Sequence, residues 1–225
     1  MYQSVAAVFL ISMFCRVFGF LREIAIGAWF PSVESDAYFM AIKIFNIFAL
    51  LFGYMWTTSY TPLYTHAYAA DDTRKTADRL TSNLLNILLL ISVSLTVLCE
   101  IFVSPICDFI ATGFTGDKLQ MTIRMTQIVL PAIPFFGLYY FFSAVLNAQK
   151  KFKIVEAATA FVGLGVILSI LLFQRFLGAY SIALGALLAY ILQFLVMLPS
   201  IMKSFQYQPI LTFKEDKTKE FFRLL

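Results

Sequence analysis

Charge is scarce in this sequence. Only 13% of its 225 residues are Asp, Glu, Lys or Arg, about half the share found in soluble globular domains. A water-soluble fold with an ordinary polar surface is therefore excluded. Histidine is scarcer still, with His66 the one copy, which removes HExxH zinc sites, and neither a nucleophile elbow nor the paired His and Asp motif of a membrane acyltransferase is present. His66 falls in a polar stretch and is expected at the surface. The three cysteines, Cys15, Cys99 and Cys107, lie in or beside apolar runs without CxxC spacing. They support neither a zinc site nor a disulfide framework, and no metal or cofactor is expected. No glycine-rich phosphate loop is present, so the chain is not read as an enzyme or as hydrolysing nucleotide. The net charge of +4 is no nucleic-acid footprint either, because the basic residues gather in short loops beside apolar segments.

What is abundant is apolar: 60% of residues are hydrophobic, 25 of them Phe, and mean hydropathy is +0.82. A membrane-spanning helix takes about 20 apolar residues. Six runs qualify, at 4–30, 36–64, 83–111, 121–147, 154–174 and 179–202. The expected fold is all-α, a polytopic membrane bundle of six transmembrane helices. The first run is too long for a signal peptide, is not preceded by Lys or Arg, and contains arginines, so it reads as a retained span. Pro131 and Pro134 should bend the fourth span, since proline removes a helical hydrogen bond and clashes with the preceding turn.

Orientation follows from Lys and Arg outside the spans. With the N-terminus cytoplasmic, eleven fall on the inner side, among them Arg74, Lys75, Arg79, Lys150, Lys151, Lys153 and Lys203. Three fall outside: Lys118, Arg124 and Arg175. That imbalance places both the N-terminus and the tail in the cytoplasm. Residues 1–202 then form a six-span unit. Residues 203–225 form a cytoplasmic amphipathic linker, charged at Lys214 and apolar by Phe221 and Phe222, that leads toward a further unit.

The charges inside the first two spans mark a working surface. Arg16, Arg22 and Glu23 interrupt the first, while Asp36, Lys43 and the amide Asn46 interrupt the second. Each charge at membrane depth costs about 3 kcal/mol on insertion scales and faces a cavity or a partner rather than lipid. Arg16 and Glu23 share a helix face to within about 20°, with Gly19 between them, and Asp36 shares a face with Lys43. Internal ion pairs, Arg16 with Glu23 and Asp36 with Lys43, are the plain structural account. The set still sums to three cations against two anions. Such a surplus suits an anionic ligand, and the arginine fork matches phosphate or diphosphate.

The run Cys15-Arg16-Val17-Phe18-Gly19-Phe20-Leu21-Arg22-Glu23 resembles the SRxLGFxRD signature of the MurJ (MviN) lipid II flippases. Asp36-Ala37-Tyr38 is similar to that family's DAF, and Asn46 to its second-helix Asn. Leu146-Asn147-Ala148 through Phe152 resembles its LNAxxxF turn, and Gly178 through Gln193 to Pro199 its sixth-span pattern. The resemblance implies the N-terminal lobe of a two-lobe transporter of the multidrug/oligosaccharidyl-lipid/polysaccharide (MOP) exporter superfamily. It implies alternating access in the bacterial inner membrane and transport of a polyprenyl-diphosphate-linked glycan, a lipid II-like cell-wall precursor. Arg16, Arg22, Lys43 and Asn46 would bind the head group, and Glu23 and Asp36 would gate or couple to an ion. The sequence departs from the family at Ala49 and Leu50, where an Arg pair is usual, and at Phe45, where Pro is usual. Those departures widen the implied substrate from lipid II to related glycans.

Two further readings accompany this one. A cation-coupled drug or metabolite antiporter of the same superfamily would lean on Glu23 and Asp36. A non-transporting membrane scaffold subunit would use the same charges only as helix clamps.

Overall fold

A computed structural model of the chain describes residues 2–55, 59–70 and 75–212, with Thr218 and Phe221 in the tail. The side chain of His66, the loop residues Asp71, Asp72 and Arg74, and the rest of the amphipathic stretch 214–225 lie outside the described residues. Nine α-helices occur among the described residues: α1 Tyr2–Trp29, α2 Ser32–Met55, α3 Thr61–Ala70, α4 Lys75–Ile101, α5 Val103–Ile110, α6 Gly116–Val129, α7 Ile133–Ala148, α8 Phe152–Leu177 and α9 Tyr180–Met202. Four stretches are long and apolar enough to cross a membrane, Ala77–Ile101, Gly116–Ala148, Phe152–Leu177 and Tyr180–Met202. Helices α1 and α2 have the length, 28 and 24 residues. Charges punctuate both: Arg16, Arg22 and Glu23 in one, Glu34, Asp36 and Lys43 in the other.

Prolines break two of the expected spans. The third does not run unbroken to residue 111, because α4 stops at Ile101 and α5 restarts at Val103 across Phe102. Pro105 explains the break, since it has no N–H for the Ile101 carbonyl and its ring collides with that carbonyl. Phe102 and Ile106 on either side keep their bonds to Leu98 and Phe102. In the fourth span a single 3-10 turn, Leu130–Ala132, separates α6 from α7 where Pro131 and Pro134 fall. Of the stretch 36–64, helix α2 is described to Met55, and Ser59 and Tyr60 form a π-helical turn that runs into α3; residues 56–58 lie outside the described residues. The polar stretch 65–82, expected as a loop, is helical at both ends, with α4 starting at Lys75.

The core lies in two parts. One joins α2, α5, α6 and α9 around Tyr38, Phe45, Met125 and Ala183. The other joins α3, α4 and α7 around Tyr60, Leu84, Phe141 and Val145. Small residues let α8 and α9 approach closely, as they do in membrane bundles. A Cβ on Gly185 would come within 2.9 Å of the Val166 Cα. Helix α1 stands at the edge, docked on α8 and barely touching α2. At its contact with α8 a Cβ on Gly163 would sit 2.8 Å from the Phe18 carbonyl oxygen, so only glycine permits this approach.

Directly after α9, through residue 212, the chain is not helical. Residues 205–212 run extended along the polar side of α4. Asn83 holds Thr212 with both ends of its amide, accepting from the backbone N–H at 2.6 Å and donating to the carbonyl at 2.7 Å. Asn86 donates to the Ile210 carbonyl and accepts from the Tyr207 hydroxyl. Ser82 and Asp78 accept from the N–H groups of Gln208 and Gln206. Extended backbone beside a bilayer must have its polar groups satisfied, and α4 supplies the partners.

Candidate functional site

Helices α1 and α8 together line a cleft of about 370 Å³ beside the Phe18–Gly163 contact. Helix α1 lines it with Ser12, Cys15, Arg16, Gly19 and Arg22, and α8 with Glu156, Thr159, Val162 and Gly163. Gly19 has nothing within 4 Å of the position a Cβ would take, so it keeps the wall open between the two arginines. Arg16 is exposed and makes no ion pair among the described residues. Arg22 is half-buried and pairs with Glu23. Its Nε is buried without a hydrogen-bond partner among the described residues.

Both ion pairs expected within single helices are replaced by others. Glu23 takes Arg22 rather than Arg16, and Asp36 takes Lys118 of α6 at 2.6 Å rather than Lys43. The physical reason is rise. Seven residues of α-helix separate side-chain origins by about 10 Å along the axis, which shared angular position does not overcome. Lys118 lies level with Asp36 where α2 and α6 run side by side, and its ammonium also sits 4.1 Å from the centre of the Phe114 ring. Lys43 is exposed and Asn46 half-buried on α2, and neither lines the cleft. Thus the structure brings Arg16 and Arg22 together with Glu23 beside them, and leaves Lys43, Asn46 and Asp36 elsewhere on α2.

The departures on α2 have clear packing roles. Phe45 is fully buried, stacked 5.0 Å from Tyr190 and edge-on to Phe136 at 5.7 Å. Ala49 is fully buried while Leu50 is exposed, so position 49 faces packed neighbours rather than a ligand.

Glu156 was not singled out from sequence as a site residue; at the start of the fifth span it reads as a carboxylate favouring a helix N-terminus. In the fold it accepts a 2.8 Å hydrogen bond from Ser12, and its carbonyl accepts from Cys15 and Thr159. The recoverable signal was the polar and small stripe Glu156, Thr159, Gly163, spaced to share one helix face.

A bundle of this topology has the fold of one lobe of a MOP-superfamily transporter. The solved structure of "Lipid II flippase MurJ, inward closed conformation" aligns with a TM-score of 0.79 at 24% identity, over 96% of this chain and 46% of that one. A MATE transporter solved in complex with MaL6 aligns with a TM-score of 0.73 at 17% identity, over 98% and 50%. The chain belongs to the MurJ family, whose family model, "Lipid II flippase MurJ", matches residues 26–225. The probable lipid II flippase MurJ of Bdellovibrio bacteriovorus is 28% identical over 81% of this chain and 36% of its own length. That of Rickettsia prowazekii is 26% identical over 92% and 41%. The chain therefore spans well under half the length of the curated relatives it matches.

Proposed function

We propose that this chain forms the N-terminal lobe of a flippase that moves a polyprenyl-diphosphate-linked glycan, lipid II or a close relative, across the bacterial inner membrane by alternating access. The observation that carries this reading is the pairing of Arg16 and Arg22 in one cleft on otherwise apolar α1. Arginines held at membrane depth call for an anion, and Arg16 has no ion-pair partner among the described residues. Lys43 and Asn46 extend the head-group surface along α2. Glu23 tunes Arg22 as its standing counter-ion. Asp36, clamped to Lys118, acts as a latch between α2 and α6 at the end of the lobe opposite the α7–α8 turn. The N-terminus lies in the cytoplasm and residues 203–225 link this lobe to a second one. With no nucleotide site in the sequence, an ion gradient, the membrane potential or consumption on the far side drives transport.

The antiporter reading needs free carboxylates on α1 and α2, yet Glu23 and Asp36 are both engaged in ion pairs. The test is genetic. In a strain depleted of its own lipid II flippase, the complete gene product should sustain growth, and Arg16→Ala or Arg22→Ala should abolish it while membrane insertion is unchanged. Full complementation by both variants would overturn the assignment.

A further inference from the structure

The cleft holds a feature that an anion site alone does not need. Glu156 faces the same space as Arg16 and Arg22, and a carboxylate there repels a bare diphosphate. Its Oε2 accepts one hydrogen bond, from Ser12, while among the described residues Oε1 accepts none. Thr159, one turn along, turns its hydroxyl to the Glu156 carbonyl, which leaves the hydroxyl oxygen an accepting lone pair. One wall of the cleft therefore donates through guanidinium groups and the other accepts. A ligand that fits both carries an anion at one end and hydrogen-bond donors beside it.

We propose that Glu156, held by Ser12, is a specificity residue that reads hydroxyl or amide N–H donors of a sugar next to the diphosphate, so that the cleft selects glycan-loaded carriers over bare polyprenyl diphosphate. The proposal rests on the diphosphate-site reading above and adds the discriminating wall to it. A hydrogen bond to an ionised carboxylate is stronger than a neutral one. Leaving that carboxylate unpaired beside an anion penalises the bare carrier.

Cys15 provides a readout independent of transport. It lines the cleft half-buried, while Cys99 and Cys107 are buried. The full chain in nanodiscs is treated with N-ethylmaleimide, and labelling of the Cys15 peptide is followed by mass spectrometry. The ligands are polyprenyl diphosphate and the same lipid bearing an N-acetylhexosamine. The glycosylated lipid should protect Cys15 at about tenfold lower concentration than the bare one. In Glu156→Gln that ratio should fall to near one, chiefly because the bare lipid gains. Ser12→Ala should move the ratio the same way by less, and it carries the comparison alone if Glu156→Gln fails to accumulate. Equal protection by the two lipids in the wild-type chain, or a ratio untouched by these substitutions, would overturn the specificity role and leave the diphosphate reading standing. Absence of protection by either lipid would overturn both.

Discussion

Two arginines six positions apart on α1 do different work. Arg16 is exposed without an ion-pair partner among the described residues, whereas Arg22 is half-buried and paired with Glu23. Arg16→Ala should therefore leave thermal stability in detergent within about 0.5 kcal/mol of the parent while removing ligand protection of Cys15. Arg22→Ala should lose protection and also cost about 1–3 kcal/mol, because it strands the Glu23 carboxylate. Adding Glu23→Ala to Arg22→Ala should recover most of that stability and none of the binding. If the double variant stays as unstable as Arg22→Ala, the Glu23 pair is not the source of the cost. Sequence spacing identified both arginines because charge in an apolar helix is conspicuous. It misassigned their partners because a helical wheel ignores rise. Glu156 stayed hidden since its partner Ser12 is 144 positions away, a distance no local pattern bridges.

At the level of helices, the apolar runs located α8 and α9 well because burial in lipid imposes length. The breaks came from proline chemistry, legible at Pro131 and Pro134, while Pro105 went unweighed at the end of a long run. The ribbon 205–212 was not legible, because its register depends on side chains of α4 that sequence alone left as polar positions near a loop. Two substitutions probe these contacts. Gly163→Ala forces a Cβ against the Phe18 carbonyl at 2.8 Å and should cost about 1–3 kcal/mol as overpacking. Gly19→Ala meets nothing and should be neutral or stabilising by up to about 1 kcal/mol, since alanine is the better helix former. Thermal unfolding of the pair in the same detergent separates the two, and a destabilising Gly19→Ala would mean that the cleft is narrower than it stands here. Asn83→Ala removes the amide that grips Thr212 and should expose 205–212 to limited proteolysis at least several-fold faster. Asn83→Gln, longer by one methylene, should not rescue it, because two bonds to the backbone N–H and C=O of one residue require fixed reach. Unchanged cleavage would show that the ribbon is held by packing instead.

Seen as a whole, the lobe runs α1, α4 and α8 in one direction and α2, α6–α7 and α9 in the other, which gathers the connections at two ends. One end carries Lys75, Lys150, Lys151, Lys153 and Lys203, the other Lys118 and Arg175. Short-loop cations are retained on the cytoplasmic side during insertion, so the lysine-rich end should face the cytoplasm. In a Cys15→Ser background, single cysteines at Val33 and Phe176, both exposed and at the sparse end, should react with a membrane-impermeant maleimide in intact spheroplasts. Cysteines at Lys150 and Met202, at the opposite end, should react only after permeabilisation. The inverted pattern would reverse the lobe. It would also set the Asp36–Lys118 ion pair on the cytoplasmic face.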